Sequence, residues 1–236
     1  DIGTHCSLIK LPSGKFLLLD TIDFSAKALK ELNKMTNNGD LIEAVLGTHP
    51  FHTDFFPAFH KLYPNLIYYG TPRHLTRNDD VKWSTTTLAD TNLQSRWDDQ
   101  GVFMRIPDGA EFENPKEGDH FSSVLVFHAA SKTVHVDDTI LFVHKPGFIL
   151  RCAGKVHGNM EFWDLKKGLR KTESSPLEFK SWVERLLHDW DFDNIVTAHT
   201  GNKIGGAKEQ LRELLSQSVP TLEKLSREHA ACKSCT

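Results

Sequence analysis

Thr48-His49-Pro50-Phe51-His52-Thr53-Asp54 is the stretch that decides how this chain is read. It follows an apolar run, Leu41 to Leu46, that reads as a buried strand, and it precedes a short helix expected over Pro57 to Tyr63. Two imidazoles and a carboxylate at the end of a strand can be aimed at one point. Neutral imidazole nitrogen with carboxylate oxygen is the donor set that suits zinc or iron. The same residues fit a plainer role, with Asp54 capping the helix and His49 and His52 as ordinary loop residues. On this stretch alone both readings are open.

Outward from it, the chain alternates strands and helices. Residues 6 to 19 read as a hairpin turning at Leu11-Pro12-Ser13-Gly14-Lys15, and Leu17 to Leu19 run into Asp20. Ala28, Leu29, Leu32 and Met35 recur at helical spacing from Ser25, and Asn37-Asn38-Gly39 supplies a left-handed stop. Leu66 to Tyr69 reads as a further strand. The stretch from Pro72 to Asp99 has poor periodicity and reads as an irregular excursion anchored by Trp83 and Trp97. Strands are expected over Val102 to Ile106, Ser122 to Phe127, Thr133 to Val136 and Ile140 to Val143. Ser175-Pro176-Leu177-Glu178 predicts a capping box opening an amphipathic helix. Asn194 to Ala198 reads as a strand, and Gly205-Gly206 opens a terminal helix bent or broken near Pro220. Strands and helices recur in both halves with no linker or repeat between them, which predicts one layered α/β domain spanning residues 1–236.

Composition narrows the function classes. The chain has 236 residues, 39% hydrophobic and 25% charged, with a formal net charge of −3, and its Lys and Arg are scattered. Neither a phosphate backbone nor an anionic membrane is an expected partner. No apolar run reaches the ~20 residues that span a bilayer, and the N-terminus lacks a signal-peptide layout. The chain starts at Asp1 rather than Met, so both a removed leader and a trimmed terminus stay open; the cytoplasm is the favoured location. Four cysteines do not make a disulfide scaffold, and the Cys232/Cys235 pair reads as incidental. The expected partner is a small-molecule substrate, and the oligomeric state is left open.

Thr48-His49 followed by His52-Thr53-Asp54 resembles the HxHxDH motif of the metallo-β-lactamase superfamily with one residue inserted. Gly118-Asp119-His120, the hairpin after it, and Val136-Asp137-Asp138-Thr139 are similar to the family's later His and bridging Asp. Ile195-Val196-Thr197-Ala198-His199-Thr200-Gly201 is similar to its last strand and His. The blocks follow the family's order and span nearly the whole chain. The resemblance implies a four-layer αββα sandwich. It implies His49, His52 and His120 at a first metal position, Asp138 bridging, and Asp54 with His199 at a second. Asp54 and Asp138 would be the catalytic carboxylates, and zinc-activated water would attack an ester, thioester, amide or phosphoester.

The chain also departs from that pattern. Phe55 stands where the motif has His, Pro50-Phe51 changes the phase of His49 relative to His52, and Asp137 stands where a small residue is usual. Three functions follow as expectations. The first is a zinc-dependent hydrolase. The second is an oxidoreductase using one iron held by His52, His120 and Asp138. The third is a non-catalytic chain that keeps the fold without a metal.

Overall fold

The computed structural model describes residues 4–77, 79–147, 151–152, 154, 156–199 and 201–233. The first sheet has the order β1-β2-β3-β4, formed by β1 (Ser7–Lys10), β2 (Phe16–Leu19), β3 (Ile42–Leu46) and β4 (Tyr68–Tyr69). β1 and β2 are the expected hairpin, closed where Lys15 accepts from the Leu11 amide at 2.8 Å, with Gly14 at φ +86°. α1 (Ala26–Thr36) carries the chain to β3, parallel to β2. Ser25 caps its start, and Asn37 and Asn38 at φ 51° and 56° end it as the sequence predicts. α2 (Phe56–Leu62) then leads to β4, again parallel.

The second sheet has the order β11-β10-β7-β6-β5. Its strands are β5 (Val102–Arg105), β6 (Leu125–His128), β7 (Thr133–Val136), β10 (Asn194–Thr197) and β11 (Asn202–Lys203). β10 joins β7 in parallel and the other pairings are antiparallel. β8 (Ile140–Phe142) pairs with β9 (Met160–Phe162) in a separate ribbon.

Side-chain alternation builds the layers. Leu17, Leu19, Ala44 and Leu46 on one sheet meet Val102, Met104, Val124 and Val126 from the other in a shared core. Leu18 and Val45 face the opposite way, onto Leu29 and Leu32 of α1 and Phe56 and Phe59 of α2. Phe127, Val134, Val136 and Ile195 likewise face outward. They pack on Phe179, Trp182, Val183 and Leu186 of α6 (Ser175–Asp189) and on Leu211, Leu215 and Leu222 of α7 (Ala207–Lys233). Helix, sheet, sheet and helix stack as the expected αββα sandwich.

The structure differs from the sequence reading at several places. The excursion from Pro72 holds two short helices, α3 (Pro72–Arg77) and α4 (Thr91–Gln94), and buries Leu88, Leu93 and Trp97 between the sheets, where a loop was expected. β9 and α5 (Leu165–Gly168) lie in a stretch with no strand or helix expectation; strands of three residues carry too little alternation to be read. The capping box does not form. Ser175 is the first helical residue with its hydroxyl on Thr172, so Ser174 takes the cap position and Glu178 pairs with Arg170. Finally, α7 runs through Pro220 as one element, since Leu211 and Leu215 before it and Leu222 and Leu225 after it are all buried. The Cys232/Cys235 pair lies partly outside the described residues.

Candidate metal centre

Loops at the ends of both sheets supply the site. His49 and His52 follow β3, His120 precedes β6, Asp137 and Asp138 follow β7, and His199 follows β10. Backbone and hydroxyl bonds tie these loops together. Val124 donates its amide to the Thr48 carbonyl at 2.9 Å, joining the two sheets. Thr139 donates its hydroxyl to the Phe121 carbonyl at 2.6 Å, fixing the residue after Asp138 to the residue after His120.

Asp138 stands at the middle of the imidazoles. Its Oδ2 lies 3.4 Å from His52 Nε2, 3.5 Å from His120 Nδ1 and 3.5 Å from His49 Nε2, and its Oδ1 lies 3.9 Å from His199 Nε2. His199 Nε2 is 3.2 Å from His52 Nε2. Two ligands at about 2.0–2.1 Å from a tetrahedral ion stand roughly 3.3 Å apart, close to the 3.4 and 3.5 Å that separate His52 and His120 from Asp138, whereas His199 at 3.9 Å lies further out. Ligand atoms of His49, His52, His120 and Asp138 all lie within 4.8 Å of one another. The donor set and its spacing fit a divalent metal.

His49 has a different part from the others. Its Nε2 lies 2.9 Å from the His120 carbonyl, and its Nδ1 accepts from the Phe51 amide at 3.2 Å. A nitrogen donating to a carbonyl carries its proton and has no lone pair to give. His49 is fully buried; burial first and His52 second push its pKa down to about 4, so the ring is neutral. It braces the loop that carries His120. His52 behaves oppositely. Burial alone would lower its pKa, but the Asp137 and Asp138 carboxylates on its two nitrogens push it up to about 11. Burial would raise Asp138, yet His120 and His52 hold it well below the usual carboxylate range.

Behind the imidazoles lies a buried polar network. Asp20, at φ 57° where β2 ends, accepts from the Thr48 amide at 2.9 Å and stands 3.1 Å from His135 Nε2. His135 Nδ1 meets Ser7 Oγ at 2.9 Å. The Thr48 hydroxyl is 2.5 Å from Asp20 Oδ2 and 2.6 Å from Asp137 Oδ2. Burial and the charge of Asp137 raise the Asp20 pKa, and the His135 and Thr48 hydrogen bonds act against that rise.

The structure thus brings His49, His52, His120, Asp138 and His199 together and leaves Asp54 out. Asp54 is exposed and outside the cluster, and it does not cap α2, whose cap position is held by Phe55 without a side-chain bond. The inserted residue, Phe51, stacks on His120 at 4.5 Å between centroids, and the Arg73 guanidinium sits 4.3 Å over the same ring. Sequence reasoning missed Thr48, Asp20 and His135; the unusual Asp137 beside Asp138 was the visible signal that something stood behind the site.

The fold and the donor cluster define a four-layer α/β protein with a candidate metal centre at the joined ends of its two sheets. No protein-family model matches the sequence, and no curated protein is significantly similar to it. The structure is similar to the metallo-β-lactamase from Hirschia baltica at a TM-score of 0.54 and 13% identity, covering 90% of this chain and 85% of that one. It is similar to the metallo-β-lactamase from Erythrobacter litoralis at 0.53 and 13%, covering 89% and 83%. The enzyme from Pontibacter korlensis gives 0.51 and 12%, covering 93% and 87%. The chain has the metallo-β-lactamase fold. Among the described residues no helix is long and apolar enough to cross a membrane.

Proposed function

We propose that this chain is a metal-dependent hydrolase of a small ester, thioester, amide or phosphoester, one domain over residues 1–236, with a single zinc held by His52, His120, Asp138 and His199. The observation that carries the reading is the grouping of three imidazole nitrogens 3.4, 3.5 and 3.9 Å from one carboxylate. His49 supports that centre by holding the His120 backbone, and Asp54 has no part in it.

A metal held there would supply a Lewis acid for the scissile bond and lower the pKa of an attacking water taken up as a further ligand. The protein's own residues do the rest. Asp138 turns Oδ2 to His52 and His120 and Oδ1 toward His199, so its carboxylate would complete the donor set. His120 has the most exposed of the four side chains, at 39%, so the centre opens to solvent on its side. Phe51 and Arg73 wall that side. The iron reading needs only His52, His120 and Asp138. The further imidazole of His199, 3.2 Å from His52 Nε2, takes the donor set beyond that triad.

Hydrolysis of p-nitrophenyl acetate, a model thioester and bis-p-nitrophenyl phosphate by zinc-loaded protein tests the reading. At least one substrate is expected to turn over, with a hundredfold or greater loss in Asp138→Asn. Equal rates in both proteins would overturn it.

A further inference from the structure

We infer that Asp137 is a positioning residue for the metal centre: it takes the Nδ1 hydrogen of His52, and so turns the Nε2 lone pair of that ring toward Asp138 and His199. The inference rests on His52 being a metal ligand, as proposed above.

An imidazole that gives one nitrogen to a metal carries its hydrogen on the other, and an acceptor for that hydrogen fixes both the tautomer and the ring orientation. His52 Nε2 faces Asp138 Oδ2 at 3.4 Å and His199 Nε2 at 3.2 Å. Its Nδ1 faces Asp137 Oδ1 at 3.6 Å. Two consecutive carboxylates therefore grip the two nitrogens of a single ring.

Asp137 is completely buried, and the two oxygens of its carboxylate have different partners. Oδ2 is engaged with the Thr48 hydroxyl at 2.6 Å, whereas Oδ1 makes no hydrogen bond. A buried carboxylate oxygen needs a donor. The other nearby nitrogen, His135 Nε2, is 3.8 Å away but only 3.1 Å from Asp20 Oδ2, and the remaining nitrogen of that ring is on Ser7. His135 is committed to Asp20, so His52 Nδ1 is the donor left for Asp137 Oδ1, and a shift of a few tenths of an ångström closes the bond.

The rest of the network serves this geometry. Thr48 adjoins His49 and holds Asp137 from the first sheet, and Asp20 holds Thr48 by both its amide and its hydroxyl. This explains why a carboxylate stands at 137, where a small residue would leave His52 free to rotate.

The test measures Zn2+ affinity by competition with a chromophoric chelator, together with the thermal midpoint of the metal-free protein. Asp137→Ala is expected to bind Zn2+ about 10- to 100-fold more weakly than wild type. Asp137→Asn, whose carbonyl can still accept the Nδ1 hydrogen, is expected to recover part of that loss. A lower thermal midpoint with unchanged Zn2+ affinity would overturn the positioning role and leave the metal centre standing. Failure of the wild type itself to bind Zn2+ would overturn the metal reading and this inference with it. A second measurement needs no variant: nitrogen-15 imidazole spectra of the zinc-loaded wild type should show His52 protonated at Nδ1. Protonation at Nε2 would contradict the inference.

Discussion

His52 and Asp138 face each other at 3.4 Å although they follow strands in different sheets, β3 in the first and β7 in the second. The centre is therefore assembled by the packing of the two sheets, through the shared core of Leu19, Leu46, Val124 and Val126 and the bond from the Val124 amide to the Thr48 carbonyl. Changes near this seam are therefore expected to reach the candidate metal centre more than changes away from it.

Phe51 gives the first case. Its ring lies between His120 and Arg73, so Phe51→Ala removes the stacking surface that orients His120. An aromatic contact contributes about 0.5–1.5 kcal/mol. Zinc affinity, measured by chelator competition, should fall roughly threefold to tenfold. An unchanged value would show that the insertion in the motif has no part in holding the ligand.

Asp54 gives the opposite case. Because it is exposed and outside the cluster, Asp54→Asn should leave zinc affinity within about twofold of wild type, well below the 10- to 100-fold losses that follow from disturbing groups around a metal. A large loss would restore the role that the family motif implies for it.

His74 should make the fold sensitive to acid. It is fully buried against Phe56 and Trp83, and burial foremost pushes its pKa down to about 3. Between that value and the unfolded pKa near 6.5, the unfolded chain binds the proton and the folded chain does not. Stability is then fully present above pH ~6.5 and is lost as pH falls toward 3. The difference in unfolding free energy between wild type and His74→Gln, from urea titrations, should shrink by about 2 kcal/mol between pH 7 and pH 5. A constant difference would mean that this ring titrates alike in the folded and unfolded chains.

Gly168 tests the packing beside His120. A Cβ there would lie 2.1 Å from Cβ and Cγ of Phe121, which is fully buried next to His120. Overpacking of this kind costs about 1–3 kcal/mol. Gly168→Ala should lower the thermal midpoint by several degrees; an unchanged midpoint would contradict the close approach.

Much of this architecture was legible in the sequence because long periodic segments and explicit stop signals encode it. Asn37-Asn38-Gly39 ends α1, Gly205-Gly206 opens α7, and the apolar stripe of α6 is visible in Trp182, Val183, Leu186 and Leu187. Short elements such as β9 and α5 are held by tertiary contacts and have no local signature. At the site, the order of His52, His120, Asp138 and His199 along the chain was enough to bring them together. The spacer Pro50-Phe51 signalled that His49 and His52 differ, but not which imidazole reaches the His120 carbonyl. The Asp20, Thr48 and His135 network was hidden: its members are single polar residues far apart in sequence, and only the packing of the two sheets makes them neighbours.

The central claim, a mononuclear centre on His52, His120, Asp138 and His199, is tested most directly by elemental analysis of wild type, His49→Gln and His120→Ala after zinc reconstitution and removal of excess metal. About one equivalent of zinc in wild type, lost in His120→Ala and retained in His49→Gln, is the predicted result. No bound metal in the wild type would contradict the account, and about one equivalent of iron in the protein as purified would replace hydrolysis with the oxidoreductase reading.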